Sequence, residues 1–181
     1  MKFKLYTSGG ELTSPFGPRM LNGTYNVHKG VDYVGRTTPT VISTVDGVVE
    51  SSTIITNKSN LTWQWGNYVK VRALDGSEHF FCHLQTRLVR KGDTVKVGSP
   101  IGIQGNTGYS FGVHCHYEVR VDGKSIDPEV YFMSKDVKDV SEAIDVLVNA
   151  GLINTPTFWV SACSIVRNLD LLFIKIANYI K

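Results

Sequence analysis

Cysteine is scarce in this sequence. Cys82, Cys115 and Cys163 are the only three in 181 residues, odd in number and widely spaced, so no disulfide framework is implied. Proline is scarce as well, at 6 against 17 glycines, a balance that suits short strands joined by tight turns. No stretch approaches the roughly 18 uninterrupted apolar residues of a membrane span. The first ten residues, Met-Lys-Phe-Lys-Leu-Tyr-Thr-Ser-Gly-Gly, hold two lysines but no apolar segment after them, and they do not read as a secretory signal peptide. A Lys/Arg-rich run is also missing, so nothing points to nucleic acid. Internal repeats and low-complexity segments are absent. What remains is ordinary globular composition, 42% hydrophobic and 19% charged, on a chain long enough to bury a core without covalent staples. The net charge of +3 falls wholly in residues 1–132, which carry 14 Lys and Arg against 11 Asp and Glu, while residues 133–181 carry five of each. A surplus that small suits an anionic partner and equally suits chance.

Up to about residue 132 the pattern is short and alternating. Thr40 to Ser51 reads as two strand pieces around the turn signal Asp46-Gly47. Asn67 to Ala73 reads as a strand closed by Asp75-Gly76, with Glu78 to Leu84 returning beside it as a hairpin. Val95 to Gln104 is glycine-punctuated β structure, and Val113 to Val121 is a strand ending at Asp122-Gly123. Together these predict an antiparallel, mainly β domain over residues 1–132. Residues 133–181 change to a helical period. Val140, Ala143, Ile144, Leu147 and Ala150 recur at three- and four-residue spacing, with Gly151 placed to end that helix. Thr155-Pro156 opens a second amphipathic helix carrying Phe158, Trp159, Ala162, Ile165, Leu169 and Phe173 on its apolar stripe.

Of five histidines, four fall in three compact motifs. In His114-Cys-His116, positions two apart on a strand point to one face, so both imidazoles project together. A metal, or a metal beside a proton carrier, explains such a pair; so does a plain surface pair. His28-Lys-Gly-Val-Asp32 adds a nitrogen and a carboxylate oxygen, with Gly30 between them to let the backbone turn. Zinc takes both donor types, and a catalytic zinc site has three protein ligands and one open position. His83-Leu84 closes a predicted strand, where a lone histidine is most often structural. Cys82 and Cys115 read as small buried hydrophobes. His79 is expected at the surface, and Glu118 as a structural or supporting partner on the His116 face.

The conjunction carries more than any one motif. Ser14-Pro-Phe-Gly-Pro-Arg19, His28-Lys-Gly-Val-Asp32-Tyr, Asp46-Gly47, Gly66-Asn67, His83-Leu84, Gly105-Asn-Thr-Gly-Tyr-Ser110, His114-Cys-His116-Tyr-Glu-Val-Arg120 and Ile126-Asp127 follow one another in order. The sequence over about 13–131 resembles the lysostaphin-type zinc endopeptidases that cut peptide cross-links in bacterial cell walls. One departure is Cys115, where that family usually has a large apolar residue. The resemblance implies one zinc ion held by His28, Asp32 and His116. It also implies that His83 and His114 are catalytic histidines that do not bind the metal, with Arg19 as a candidate substrate contact. Zinc bound by two imidazoles and one carboxylate would bring the pKa of a bound water to about 7. Either histidine could then serve as the base, and the sequence does not divide those roles.

The implied substrate is the peptide of peptidoglycan, whether a glycine bridge or a direct cross-link, and the expected place of action is the cell wall. With no signal peptide read, phage-type release, association with a virion, or a trimmed chain are the expectations. The helical tail is read as packing, wall binding or a homodimer contact. Two rival readings stand beside the enzyme: a non-catalytic relative that binds walls or activates another hydrolase, and a zinc-stabilised structural module. Relatives of the first kind typically lose ligands, and all five positions are filled here. An open coordination position and two spare histidines argue against the second.

Overall fold

The computed structural model of the protein describes residues 3–21, 23–55, 57–59, 63–134, 140–149 and 151–154. In chain order the strands are β1 (Gly10–Ser14), β2 (Gly17–Leu21), β3 (Thr24–His28), β4 (Val31–Gly35), β5 (Thr40–Ile42), β6 (Gly47–Ile54), β7 (Asn67–Ala73), β8 (Glu78–Cys82), β9 (Thr86–Arg87), β10 (Thr94–Val95), β11 (Pro100–Ile103), β12 (Cys115–Val121) and β13 (Lys124–Ile126). A 3-10 turn at Trp63–Trp65 precedes β7, and two helices follow the strands, α1 (Pro128–Ser134) and α2 (Val140–Asn149). The main sheet runs β1-β4-β12-β8-β7-β6-β10, with β13 hairpinned onto β12. A second sheet is ordered β5-β11-β9, and β2 and β3 form a separate hairpin. Every one of these pairings is antiparallel. The mainly β, antiparallel architecture expected from the alternation is therefore the one observed.

The period-two pattern gives the central sheet two unlike faces. Val31 and Tyr33 of β4, Cys115, Tyr117 and Val119 of β12, Phe81 of β8 and Val69 and Val71 of β7 are all buried to 1% exposure or less. Their registers coincide, Tyr117 lying opposite Val31 on one side and Phe81 on the other. Burying each such side chain contributes roughly 1.5–3 kcal/mol. The opposite face carries Asp32, His116, Glu118 and Arg120, together with Phe80 and Cys82. Cys82 faces His116 across the strand pair, so it shares that face and packs with Tyr68 and Phe80 under Trp65. Cys115 sits in the core face, and both cysteines are fully buried, as small hydrophobes would be.

His79 is a correction. Rather than lying at the surface, it is completely buried on the core face, opposite Val71 and Val119. The cost of burying an imidazole is met at both nitrogens: Nδ1 lies 2.6 Å from the Tyr117 hydroxyl, and Nε2 lies 2.9 Å from Ser77 Oγ. The Tyr117 hydroxyl is in turn 2.6 Å from Thr44 Oγ1.

Two compact units are delimited, one of Phe3–Pro128 and one beginning at Glu129. α1 starts on Pro128, at the boundary between the units, a position where the missing N–H costs nothing. The expected helix around 139–150 is α2. Its Ile144 and Leu147 are buried, and Gly151 follows it with φ +71°. The Gly151 N–H donates to the Val148 carbonyl and the Leu152 N–H to the Leu147 carbonyl, the paired bonds of a Schellman stop. The helix expected from Thr155-Pro156 onward, and Cys163 with it, lie outside the described residues. No helix among the described residues is long and apolar enough to cross a membrane.

Candidate metal centre

Three strand registers bring the predicted ligands together. Asp32 on β4 sits between Ser14 of β1 and His116 of β12, and His28 ends β3, opposite Gly17 of β2. Lys29 and Gly30 alone join His28 to β4. Gly30 is there for space. A Cβ on it would stand 2.4 Å from the Tyr117 carbonyl oxygen and 2.9 Å from the His116 ring. Its φ is not in the left-handed region, so close approach, not the expected turn freedom, is what excludes a side chain.

The donor atoms form a tight triangle. His28 Nε2 lies 3.1 Å from Asp32 Oδ1 and 2.9 Å from His116 Nδ1, and His116 Nδ1 lies 2.8 Å from Asp32 Oδ1. Among the described residues, these are the three whose ligand atoms cluster closely enough for one ion. Donors around a tetrahedral zinc stand about 3.3 Å apart, given bonds of about 2.0–2.1 Å, so the triangle is within a few tenths of an ångström of that size. Two nitrogens and one carboxylate oxygen suit zinc better than calcium or magnesium, which take oxygen shells. The tautomers agree. The His28 Nδ1–H donates to the Pro15 carbonyl at 2.8 Å, which leaves a lone pair on Nε2 aimed at His116 and Asp32. Lone pairs and a carboxylate that close together need a cation or shared protons between them.

The electrostatics say the same. Burial alone would raise the Asp32 carboxyl, but the rings of His114, His116 and His28 beside it, which can donate to it when protonated, outweigh burial and hold the group well below the usual carboxylate range. Burial would lower His116, yet Asp32 and Glu118 carry it up to about 9 in the metal-free chain, so a proton stands in for the cation. Glu118, 1% exposed, would be raised by burial, but contacts with His116, Arg120 and Ser125 bring it to about 2. Its Oε2 lies 4.0 Å from His116 Nε2, so it supports the ring from the side away from the donor triangle.

His114 and His83 stand beside the triangle with their rings tilted against each other, centroids 4.8 Å apart. The His114 Nδ1–H donates to the Gly112 carbonyl and the His83 Nδ1–H to the Thr107 carbonyl, each at 2.8 Å. Both Nε2 atoms are thereby left as acceptors. His114 Nε2 is 3.5 Å from Asp32 Oδ1. His83 is lowered to about 3, first by burial and then by the charges on His116 and His114. His83 is not a strand residue: β8 ends at Cys82, and His83 adopts φ +62°, a conformation uncommon outside glycine. Its N–H donates to the Trp65 carbonyl.

Two parts of the site lie beyond what sequence spacing conveys. Arg19, expected against substrate, lines the groove and also binds the site itself. Its Nη1 donates to Asp32 Oδ2 at 3.1 Å and to Ser14 Oγ at 2.7 Å, so Oδ2 is neutralised and Oδ1 is the oxygen turned to the histidines. Thr107 is the other. Its Oγ1 accepts from the Asn67 N–H at 2.9 Å and donates to the Leu84 carbonyl at 3.0 Å, tying the loop that holds His83 to the start of β7 and to the segment that follows β8. The motif Gly105-Asn-Thr-Gly108 was the only sequence signal for it. The site opens into a groove of about 890 Å³, lined in part by the β2–β3 hairpin and by residues 109–113.

Residues 26–128 match the model of Peptidase family M23. The chain is 39% identical over 120 residues to the peptidoglycan DD-endopeptidase ShyC of Vibrio cholerae, an alignment covering 65% of this chain and 26% of ShyC. It is 33% identical over 104 residues to the murein hydrolase activator NlpD of Escherichia coli, covering 58% of this chain and 26% of NlpD. The chain thus spans about a quarter of the length of these relatives. The solved catalytic domain of lysostaphin from Staphylococcus simulans superposes with a TM-score of 0.57 at 26% identity, covering 67% of this chain and 91% of that domain. With the family match spanning more than half of its residues and enclosing all five site positions, this chain belongs to peptidase family M23.

Proposed function

We propose that the protein is a zinc endopeptidase that hydrolyses peptide cross-links of peptidoglycan in the bacterial cell wall. The observation that carries this reading is the convergence of His28 Nε2, Asp32 Oδ1 and His116 Nδ1 within 3.1 Å of one another, beside two histidines whose Nε2 atoms are held as acceptors. His28, Asp32 and His116 would hold the ion. When bound, zinc supplies a Lewis acid for the scissile carbonyl and a water acidic enough to ionise near neutrality.

The chain's own groups do the rest. His28 is oriented by the Pro15 carbonyl, and Asp32 by Arg19, which Ser14 Oγ holds in turn. His114 is the better proton carrier of the pair. Its Nε2 is an acceptor and lies 3.5 Å from Asp32 Oδ1, at the edge of the donor triangle where a bound water would give up its proton. That proton can then go to the leaving amine. His83 is kept neutral by its burial and orients the reacting groups through its Nε2 lone pair.

A second reading, a hydrolase activator, is favoured by the likeness to NlpD. Full occupancy of the five positions argues for the enzyme. The test is release of muropeptides from purified walls by the zinc-loaded chain, by the chain after chelation, and by His114→Ala and His83→Ala. The expected result is activity lost on chelation and restored by zinc, with both variants retaining zinc and losing turnover. Release that survives chelation would sink the metallopeptidase reading.

A further inference from the structure

The charges lining the groove are unequally satisfied. Arg19 is committed to Asp32 and Ser14, and Arg120 lies on Glu118 at 2.7 Å and over the Phe80 ring. Asp32 and Glu118 are held by those same partners. Lys29 is different: it lines the groove, it is exposed, and among the described residues no ion pair or hydrogen bond engages its ammonium. It adjoins His28 in the chain, so its Cα is about 3.8 Å from that of a proposed zinc ligand. Apolar side chains line the same groove: Met20 and Val27 of the β2–β3 hairpin, 66% and 55% exposed, and Phe111 and Val113, 63% and 56% exposed. An unpaired cation lining such a cleft concentrates anions there more than the same cation on a flat surface.

We propose that Lys29 is an anion subsite of this groove, pairing with a free carboxylate on the substrate peptide beside the scissile bond. Resting on the peptidase reading, this assigns the substrate class: a directly cross-linked stem peptide bearing a free carboxylate, in preference to an amidated peptide or an uncharged glycine bridge. A carboxylate docked on Lys29 also orients the peptide, because it fixes which amide lies across the histidines.

The experiment compares two synthetic cross-linked muropeptide dimers that differ only in whether the carboxylate flanking the cross-link is free or amidated. The quantity read is the ratio of their kcat/KM values with the zinc-loaded full chain, for wild type, Lys29→Met and Lys29→Glu. The expected ratio is roughly three- to tenfold in favour of the free carboxylate for wild type. It falls to about one in Lys29→Met and inverts in Lys29→Glu, and the wild-type preference shrinks as salt is raised. A ratio that is the same in all three proteins overturns the subsite while leaving the peptidase standing. Cleavage of neither dimer by wild type overturns both.

Discussion

Replacing Thr107 by valine tests whether the site depends on one hydroxyl. Valine keeps the β-branched shape and the Thr107 carbonyl that accepts from His83, but it deletes both Oγ1 hydrogen bonds, to the Asn67 N–H and the Leu84 carbonyl. Each such bond is worth about 1 kcal/mol net, and a polar group left unsatisfied in a buried setting costs about 1–3 kcal/mol. Thr107 is half-buried, so the lower part of that range applies to each, and Thr107→Val is expected to lose about 2–4 kcal/mol. Thr107→Ser keeps the hydroxyl and is expected to lose about 1 kcal/mol or less. The neighbourhood gives little room to relax. A Cβ on Gly66 would stand 2.5 Å from Thr107 and Gly108 atoms, and one on Gly108 would stand 2.4 Å from the Gln64 carbonyl, so the two loops are already in close contact. Urea unfolding of the zinc-loaded chain gives the stability loss; metal content and muropeptide turnover give the local effect. Valine is expected to retain zinc, since Thr107 touches none of the proposed ligands, while turnover falls with the loss of His83 orientation. Serine is expected to restore it. A valine variant as stable and active as wild type would refute the reasoning, as would a serine variant as damaged as valine.

Other outcomes follow from the same geometry. Gly30→Ala pushes a Cβ into the Tyr117 carbonyl and the His116 ring. It is expected to cost about 1–3 kcal/mol of overpacking and to lower bound zinc, read by thermal melting and metal analysis. Arg19→Met removes the cation from Asp32 Oδ2 and is expected to weaken zinc binding about 10–100-fold, measured by competition with a chromophoric chelator. Proton competition sets the pH dependence. His116 stands at about 9 in the metal-free chain, so below that pH zinc must displace a proton, and apparent affinity should rise about tenfold per pH unit before flattening. Because that value lies above the ordinary 6.5, the stability His116 gives the metal-free fold is complete below pH 6.5 and is lost as pH rises through about 9. The melting gap between zinc-loaded and metal-free protein should therefore widen from pH 6 to pH 9; a constant gap would contradict the assignment.

The strands were legible where alternation met a turn signal. Asn67–Ala73 is read to the residue because apolar alternation ends against Asp75-Gly76, and the Schellman stop of α2 falls at the predicted Gly151. The donor types at the site were also legible, since His28, Asp32, His83, His114 and His116 sit in recognisable motifs. Conformation at single residues was not. His83 takes φ +62°, which leaves no mark in a hydrophobicity pattern when the residue is not glycine. The burial of His79 is not legible because its partner Tyr117 lies 38 positions away, and Thr44, which holds the Tyr117 hydroxyl, lies 73 positions from Tyr117. The contact of Arg19 with Asp32 is not legible either, because the β2–β3 pairing that folds it back is a tertiary fact.

The proposed ligand set is thus a property of register more than of motif. Asp32 and His116 are 84 positions apart and meet only because β4 and β12 pair them directly. A slip of one residue along that pair would turn every side chain of the moved strand to the other face, putting Asp32 in the core and Tyr33 in the groove. What forbids the slip is the opposite face, where Tyr33, Cys115 and Tyr117 are all buried to 1% or less and the Tyr117 hydroxyl is committed to His79 and Thr44. The buried polar trio that the sequence reading overlooked therefore helps to fix the metal site from the other side of the sheet. Tyr117→Phe should accordingly cost about 1–3 kcal/mol by leaving a buried acceptor or donor unmade. Where the loss shows as lower zinc occupancy at a temperature at which the chain is still folded, the core face is setting the register of the ligands; unchanged occupancy up to the melting point would confine Tyr117 to global stability.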